Sequence, residues 1–245
     1  MMQFGINPIN DCIIEADPMQ VGMLICVGST GAGKTVTVLF LLYKLFVYAL
    51  TEHKELDLYI CDFKKSGDYR GLTDKFAEYD EVTNMIESFY EHFCHAEENN
   101  PNISILLIDE LAGYLNWLGQ QDSRKAKTIR GYLGSILSLG RSRHYYVWSV
   151  LQRVSSSLFP PGSGAIDNYQ INIGMGRLTV ESRKSLFAGE HFDDEEFEEN
   201  YHPKTGQGLI LIDGQELQPI QIPYIKDKEK LKALLRKLAK ECLRT

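Results

Sequence analysis

The stretch "VGSTGAGKTV" at positions 27–36 constrains this chain more than any other. Gly28, Ser29, Thr30, Gly31, Ala32, Gly33, Lys34 and Thr35 match G-x-x-x-x-G-K-[ST] at every fixed position. The glycines let the backbone turn back on itself, and their missing side chains let successive N–H groups close around an anion. Lys34 supplies a point charge for the outer phosphates of a nucleotide such as ATP, and the Thr35 hydroxyl can ligate Mg²⁺. The flanks agree. "MLICV" before the loop is a short apolar run suited to a buried strand. "TVTVLFLLYKLFVYAL" after it reads as a helix whose N-terminus faces the phosphates.

At 245 residues the chain can bury one substantial core and has little left for a second domain. Apolar runs at 23–27, 56–62, 103–109, 145–151, 169–174 and 208–212 alternate with helical patterns at 34–50, 80–98, 124–139 and the C-terminal tail. That alternation predicts one α/β domain over residues 1–245, with a mostly parallel central sheet flanked by helices. Its parts are a lead-in of strands over 1–22, a core over 23–214 and a basic amphipathic helix over 226–245. "INDCIIEAD" (9–17) reads as a short strand or hairpin, and "SSSLFPPGSGA" (155–165) as a loop. The most apolar stretch, 36–50, is too short for a membrane span and carries Lys44, so a core helix is expected there. The five cysteines form no C-x-x-C pair and no secretory leader is visible, which points to the cytoplasm. His92, Cys94 and His95 lie close together, but they read as a solvated helix end rather than a metal site.

The formal net charge of −7 offers no general attraction to nucleic acid or anionic lipid. Its distribution is uneven: "GEHFDDEEFEEN" (189–200) is strongly acidic, and the last twenty residues are mostly basic. Leu231, Leu234, Leu235, Leu238 and Leu243 recur there at helical spacing and should form the packed face. The basic outer face is open to three readings: solvent, nucleic acid or membrane.

"ISILLIDELAGYL" (103–115) is the second diagnostic segment. An apolar strand ends in Asp109, the carboxylate expected to hold Mg²⁺ through water. Glu110 follows, where it could orient and deprotonate the attacking water. The plainer alternative is a helix start whose acids complement the dipole. No N-K-x-D segment occurs, which argues against a base-reading GTPase. In "YYVWSVLQR" (145–153), the third diagnostic segment, an apolar strand runs into Gln152, a neutral amide able to sense a γ-phosphate without adding charge.

The order of the phosphate loop, "YICDFKKSGDYRGL", "ILLIDELAGYL", "GRSRHYYVWSVLQR", "INIGMGRLTVESRKSLFAGE" and "GQGLILIDG" resembles the motor domain of FtsK/SpoIIIE-type DNA translocases, within the FtsK/HerA superfamily. The resemblance spans roughly 6–214 and implies a P-loop NTPase fold of the RecA-like, ASCE class. It implies that Lys34 and Thr35 bind nucleotide and Mg²⁺, that Asp109 and Glu110 form the Walker B pair, and that Gln152 is the sensor. It also implies a homo-oligomer, a hexameric ring pulling double-stranded DNA through its pore. The membrane anchor and winged-helix module usual in that family have no counterpart in this sequence. The likeness is therefore to the bare motors of conjugative elements or viruses, whose partners include a membrane-bound transfer apparatus or a relaxase. Where such motors place an arginine reaching into the neighbouring subunit, this sequence has Asn172, with Arg177 and Arg183 nearby as candidates.

Two segments have the composition of pore loops: "KKSGDYRGL", with Lys64, Lys65 and Arg70, and "GYLNWLGQQDSRKAK", with Arg124, Lys125 and Lys127. Lysine and arginine contacts to phosphate ignore base sequence, as a translocase must. The bland alternative is surface charge. The leading expectation is an ATP-driven DNA translocase for conjugation or packaging. Its rivals are a protein-secretion ATPase of the same fold and a nucleotide-dependent scaffold with little turnover.

Lys34→Ala should abolish nucleotide binding, whereas Glu110→Gln should retain binding and lose hydrolysis. Lys34 meets ground-state phosphates, but Glu110 acts on the attacking water, a role felt mainly in the transition state. Titration with a fluorescent nucleotide beside steady-state turnover separates the two; normal turnover in Glu110→Gln would remove Glu110 as the base.

Overall fold

The computed structural model describes residues 1–154, 158–159, 164–190 and 201–243. Most of the acidic 189–200 segment, most of the 155–165 loop and the last two residues of the tail lie outside the described residues. In chain order the first elements are β1 (Met2–Ile6), β2 (Ile13–Ala16), β3 (Leu24–Gly28), α1 (Lys34–Thr51), β4 (Leu56–Asp62), β5 (Phe76–Glu78) and α2 (Val82–His95). Then come β6 (Ile103–Asp109), α3 (Leu111–Gln121), α4 (Ser123–Leu139), β7 (Tyr145–Leu151), β8 (Ile171–Met175) and α5 (Val180–Leu186). The C-terminal part adds β9 (Gln207–Ile212), β10 (Gln218–Gln221) and α6 (Lys228–Cys242).

Unbroken apolar runs make strands buried on both faces, and such strands favour a parallel sheet between helix layers. β3, β6 and β7 are buried along their whole length. They sit in the middle of one ten-stranded sheet, ordered β2-β1-β10-β9-β8-β3-β7-β6-β4-β5. From β8 to β5 every pairing is parallel; β9, β10, β1 and β2 extend the other edge as antiparallel strands. The right-handed crossover rule puts α1 on one face. It puts α2 to α4, whose connections run the other way across the sheet, on the opposite face. α1 packs on β1 and β3, α2 on β4 and β5, and α4 on β7. The fold is thus the expected α/β sheet flanked by helices.

All six strands expected from the sequence form, each boundary within two residues. The 9–17 segment supplies β2, hairpinned to β1 through a turn in which the Asn7 N–H donates to the Cys12 carbonyl at 2.8 Å. α1 is the buried core helix expected: its apolar length satisfies a membrane-span criterion, yet more than half of it is covered by the fold. One expectation is overturned. Residues 111–121 form α3 and not a loop, while Arg124, Lys125 and Lys127 stand on the first two turns of α4, the helix expected over 124–139. Asp122 caps that turn, accepting from the Arg124 and Lys125 N–H groups at 2.9 Å each.

α6 packs along α1. Leu235, Ala239 and Cys242 are buried and Leu231, Leu238 and Leu243 half-buried, whereas Leu234 is 42% exposed and lies off the packed face. Its basic side is partly consumed by the core: Lys228 and Lys232 pair with Asp68 at 2.6 and 3.1 Å, and Arg236 donates to the Arg70 carbonyl at 3.2 Å. Leu235→Ala should therefore lower unfolding free energy by roughly 2–5 kcal/mol, since it removes a fully buried side chain between two helices. Chemical denaturation measures this; a loss below about 0.5 kcal/mol, the range of ordinary surface substitutions, would mean that α6 does not pack as described.

Candidate active site

The parallel register brings the chemistry to one edge. Asp62 pairs with Asp109, Asp109 with Val150, Val27 with Leu151 and Gly28 with Met175, so the strand C-termini end in line. β7 lies between the phosphate-loop strand β3 and the acid-bearing strand β6. The chain leaves β3 in one direction and returns across it to β8, which opens a crevice at that point.

The phosphate loop is shaped by close backbone approach. A Cβ on Gly28 would stand 2.4 Å from the Met175 carbonyl oxygen, and Gly33 has φ +102°. No side chain caps the first turn of α1, so its N–H groups face the loop. Lys34 Nζ donates to the Gly28 and Ser29 carbonyls at 2.5 and 3.0 Å, folded over the phosphate cradle. Partial burial, with Lys64 nearby, holds its pKa below the usual lysine value. The start of β9 braces the loop from outside, where the Gly206 N–H donates to the Ala32 carbonyl at 3.2 Å.

Asp109 is 6% exposed. Burial pushes its carboxyl up to about 6; Asp62 and Glu110 add to the rise, and Lys64 and Lys34 oppose it. Buried Asp62 is spent on its own loop, accepting from the Ser66 N–H, the Ser66 hydroxyl and the Gly67 N–H at 3.1, 3.0 and 2.8 Å. Glu110 opens α3 in the left-handed region, φ 63° and ψ 46°, which is strained for a residue with a Cβ. Its N–H donates to the Val150 carbonyl at 3.0 Å, and Gly113 leaves room for its side chain, since a Cβ there would stand 2.9 Å from Glu110 Cγ. The carboxylate receives Gln152 Nε2 at 3.1 Å and pairs with Lys64 Nζ.

These residues fit a divalent cation. A buried acid that resists ionisation, beside two further carboxylates, is a place where a cation relieves repulsion. Among the described residues no group of three or more His, Cys, Asp or Glu is arranged to hold an ion alone. Asp109 and Thr35 would thus be the protein's share, with phosphate and water completing the shell, as suits Mg²⁺. His92 and His95 instead bond the Ser88 and Glu91 carbonyls of their own helix through Nδ1, at 2.7 and 2.8 Å.

A cleft of about 280 Å³ runs beside the phosphate loop, lined by Ser29, Thr30, Gln152, Arg153, Arg177 and Leu178. A larger hollow of about 380 Å³, lined by Gln20, Asn99, Arg141 and His144, belongs to the N-terminal ends of the strands, away from this chemistry. Two arginines thus line the cleft of their own subunit. Sequence reasoning weighed Arg177 only as a donor to a neighbour and gave Arg153 no role. Arg183, the other candidate, is 1% exposed within its own subunit. Asn172 lies low in β8, beside Ile25, well below the phosphate loop. Of the basic residues, Lys64 is held by Glu110, Arg70 by Glu78 at 2.5 Å and Lys125 by Glu87 at 2.5 Å. Lys65, Arg124 and Lys127 are exposed.

No protein-family model matches the chain, and no curated protein matches its sequence. Solved structures share its fold. The cytoplasmic domain of the type VII secretion ATPase EccC of Thermomonospora curvata superposes with TM-score 0.69 at 16% identity, over 96% of this chain and 30% of that one. EssC (ATPases 2 and 3) of Geobacillus thermodenitrificans gives 0.68 at 18% identity, over 98% of this chain and 48% of that one. The pCW3 conjugation coupling protein TcpA, in its monomer form with ATPγS, gives 0.72 at 17% identity, over 96% and 69%. The chain therefore spans less than half the length of the first two and shares the fold of these ATPases.

Because the folded-state pKa of Asp109 lies above the unfolded value near 4, the cost of ionising it in the fold builds up between about pH 4 and pH 6, is complete above that, and vanishes as pH falls below about 4. Asp109→Asn should therefore stabilise the protein by roughly 2–3 kcal/mol at pH 7.5 and by almost nothing at pH 4. Denaturant titrations at the two pH values measure it; a destabilised variant at pH 7.5 would contradict the burial argument.

Proposed function

We propose that this chain hydrolyses MgATP and that several copies, assembled as a ring, use the cycle to move double-stranded DNA. One observation carries the reading: the Glu110 carboxylate touches both Gln152, beside the phosphate loop, and Lys64, in a basic segment able to meet a phosphate backbone. The group suited to activating water thus stands one contact from a surface suited to an anionic polymer. In this reading Lys34 and the free N–H groups of α1 bind the phosphates, and Thr35 and Asp109 hold Mg²⁺. Bound Mg²⁺ would supply charge neutralisation on the phosphate oxygens. Glu110 takes the proton of the attacking water and Gln152 orients it. Arg177, exposed at the cleft, is placed to balance charge on the γ-phosphate, within its own site or across a subunit boundary. Lys65, Arg124 and Lys127 are the DNA contacts best available, with Lys64, Arg70 and Lys125 exchanging their carboxylate partners for phosphate. A cytoplasmic location and a conjugation or packaging apparatus as partner belong to the same reading.

A protein-secretion motor is the second reading. Its supporting observation is that Lys64, Arg70 and Lys125 are each already neutralised by a carboxylate.

Linear double-stranded DNA should stimulate turnover, and affinity should fall steeply with salt, regardless of sequence. Replacing Arg124, Lys125 and Lys127 together by alanine should flatten the salt slope and leave ATP affinity unchanged. Turnover indifferent to DNA, yet raised by an unfolded polypeptide, would favour secretion.

A further inference from the structure

We propose that Lys64 is a positioning residue that latches Glu110, and that an anionic polymer drawn to the β4–β5 segment releases the latch by taking over the Lys64 ammonium. The inference rests on the motor reading above, because it assigns regulation to the same site.

Three observations carry it. First, Lys64 Nζ and Gln152 Nε2 converge on the same oxygen, Oε2 of Glu110. The ammonium occupies that oxygen together with the Gln152 amide and holds the carboxylate toward the β4–β5 segment. A base held this way is poorly prepared to take a proton from water.

Second, the pair is asymmetric in exposure. The Glu110 side chain is 13% exposed and that of Lys64 39%, so solvent and solutes reach the lysine while the glutamate stays enclosed. Exposed ion pairs exchange partners readily, and a polyphosphate presents a higher local density of negative charge than one carboxylate.

Third, the backbone around Lys64 is fixed at both ends. Asp62 holds Ser66 and Gly67, and Phe63 is seated among Tyr79, Tyr114 and Trp117, with the Tyr79 ring stacked at 5.3 Å. Further along, Asp68 is tied to Lys228 and Lys232, and the Arg70 carbonyl to Arg236. A frame so anchored leaves the movement to the long, flexible lysine stem. The ammonium swings between Glu110 and an incoming phosphate, and the loop need not rearrange.

The test uses the full chain. Lys64→Met keeps the stem and removes the charge; Lys64→Arg keeps the charge. In Lys64→Met, basal MgATP turnover should rise about tenfold, a fraction of what a freed general base can contribute, with ATP affinity unchanged. Its stimulation by linear double-stranded DNA should shrink toward unity. Lys64→Arg should restore low basal turnover and most of the stimulation. Melting temperatures confirm folding, and Lys64→Gln substitutes if the methionine variant is unstable. Basal turnover in the neutral variant that is unchanged or lowered, with wild-type stimulation intact, overturns the latch and leaves the DNA reading standing. A wild type indifferent to DNA, with a raised basal rate in Lys64→Met, overturns release by DNA together with the motor reading, and supports the latch alone.

Discussion

A carboxylate 6% exposed at the end of a parallel sheet costs free energy unless positive charge stands near it, and the C-terminal edge of this sheet is arranged around that cost at Asp109. Asp62 and Glu110 flank it and make matters worse; Lys34 and Lys64 relieve it in part. The edge is therefore acidic at its centre and basic around the rim. Such a distribution disfavours a neutral ligand and favours one that brings cation and anion together, as a magnesium-bound nucleotide does. The strain at Glu110 has the same source. A left-handed backbone at the residue after Asp109 turns the second carboxylate away from the first and toward Lys64 and Gln152.

The antiparallel half of the sheet serves the phosphate loop. β9 pairs with β8, and the turn before β9 reaches back to bond Ala32 through the Gly206 N–H. The Met175 carbonyl, at the end of β8, fills the space that a side chain on Gly28 would need. A loop with several glycines has much conformational entropy to lose on folding. Buttressing by a neighbouring strand end keeps it near the shape that phosphate requires, so less ordering is left to the ligand.

What could be read from the chain beforehand was whatever the sequence expresses locally. Buried strands declare themselves as apolar runs, and the phosphate loop, Asp109, Glu110 and Gln152 lie at or beside the ends of such runs. β10, "QPIQ", buries only Ile220, and β5 has three residues, so neither carries a pattern that stands out from a loop. α3 was hidden by composition: Gly113, Gly119 and Asn116 made a helix look like a turn, although Leu111, Tyr114, Leu115 and Leu118 do recur on one buried face. The pairing of Lys64 with Glu110 joins residues just beyond the ends of two strands adjacent only after folding, and no local pattern announces it. The burial of Arg183 is likewise tertiary. A short helix rich in charge gives no sign of which charge turns inward.

The same limit applies to the basic tail, whose composition fits a solvated face first and nucleic acid or membrane second. Its placement narrows the choice. α6 lies along α1, the helix that begins at Lys34, and grips the segment after β4 through Asp68 and the Arg70 carbonyl. Two of its lysines and Arg236 are thereby committed to the protein's own core, which weakens the case for α6 as a binding face. What it does instead is join two parts of the edge that the sheet leaves separate. The phosphate loop opens α1; the β4–β5 segment carries Lys64, Lys65 and Arg70; and α6 touches α1 and that segment. Packed and ion-paired contacts thus link α1, through α6, to the basic segment facing solvent. Since Lys64 also reaches Glu110 directly, that segment is tied to the candidate site twice, through Glu110 and, by way of α6, through α1.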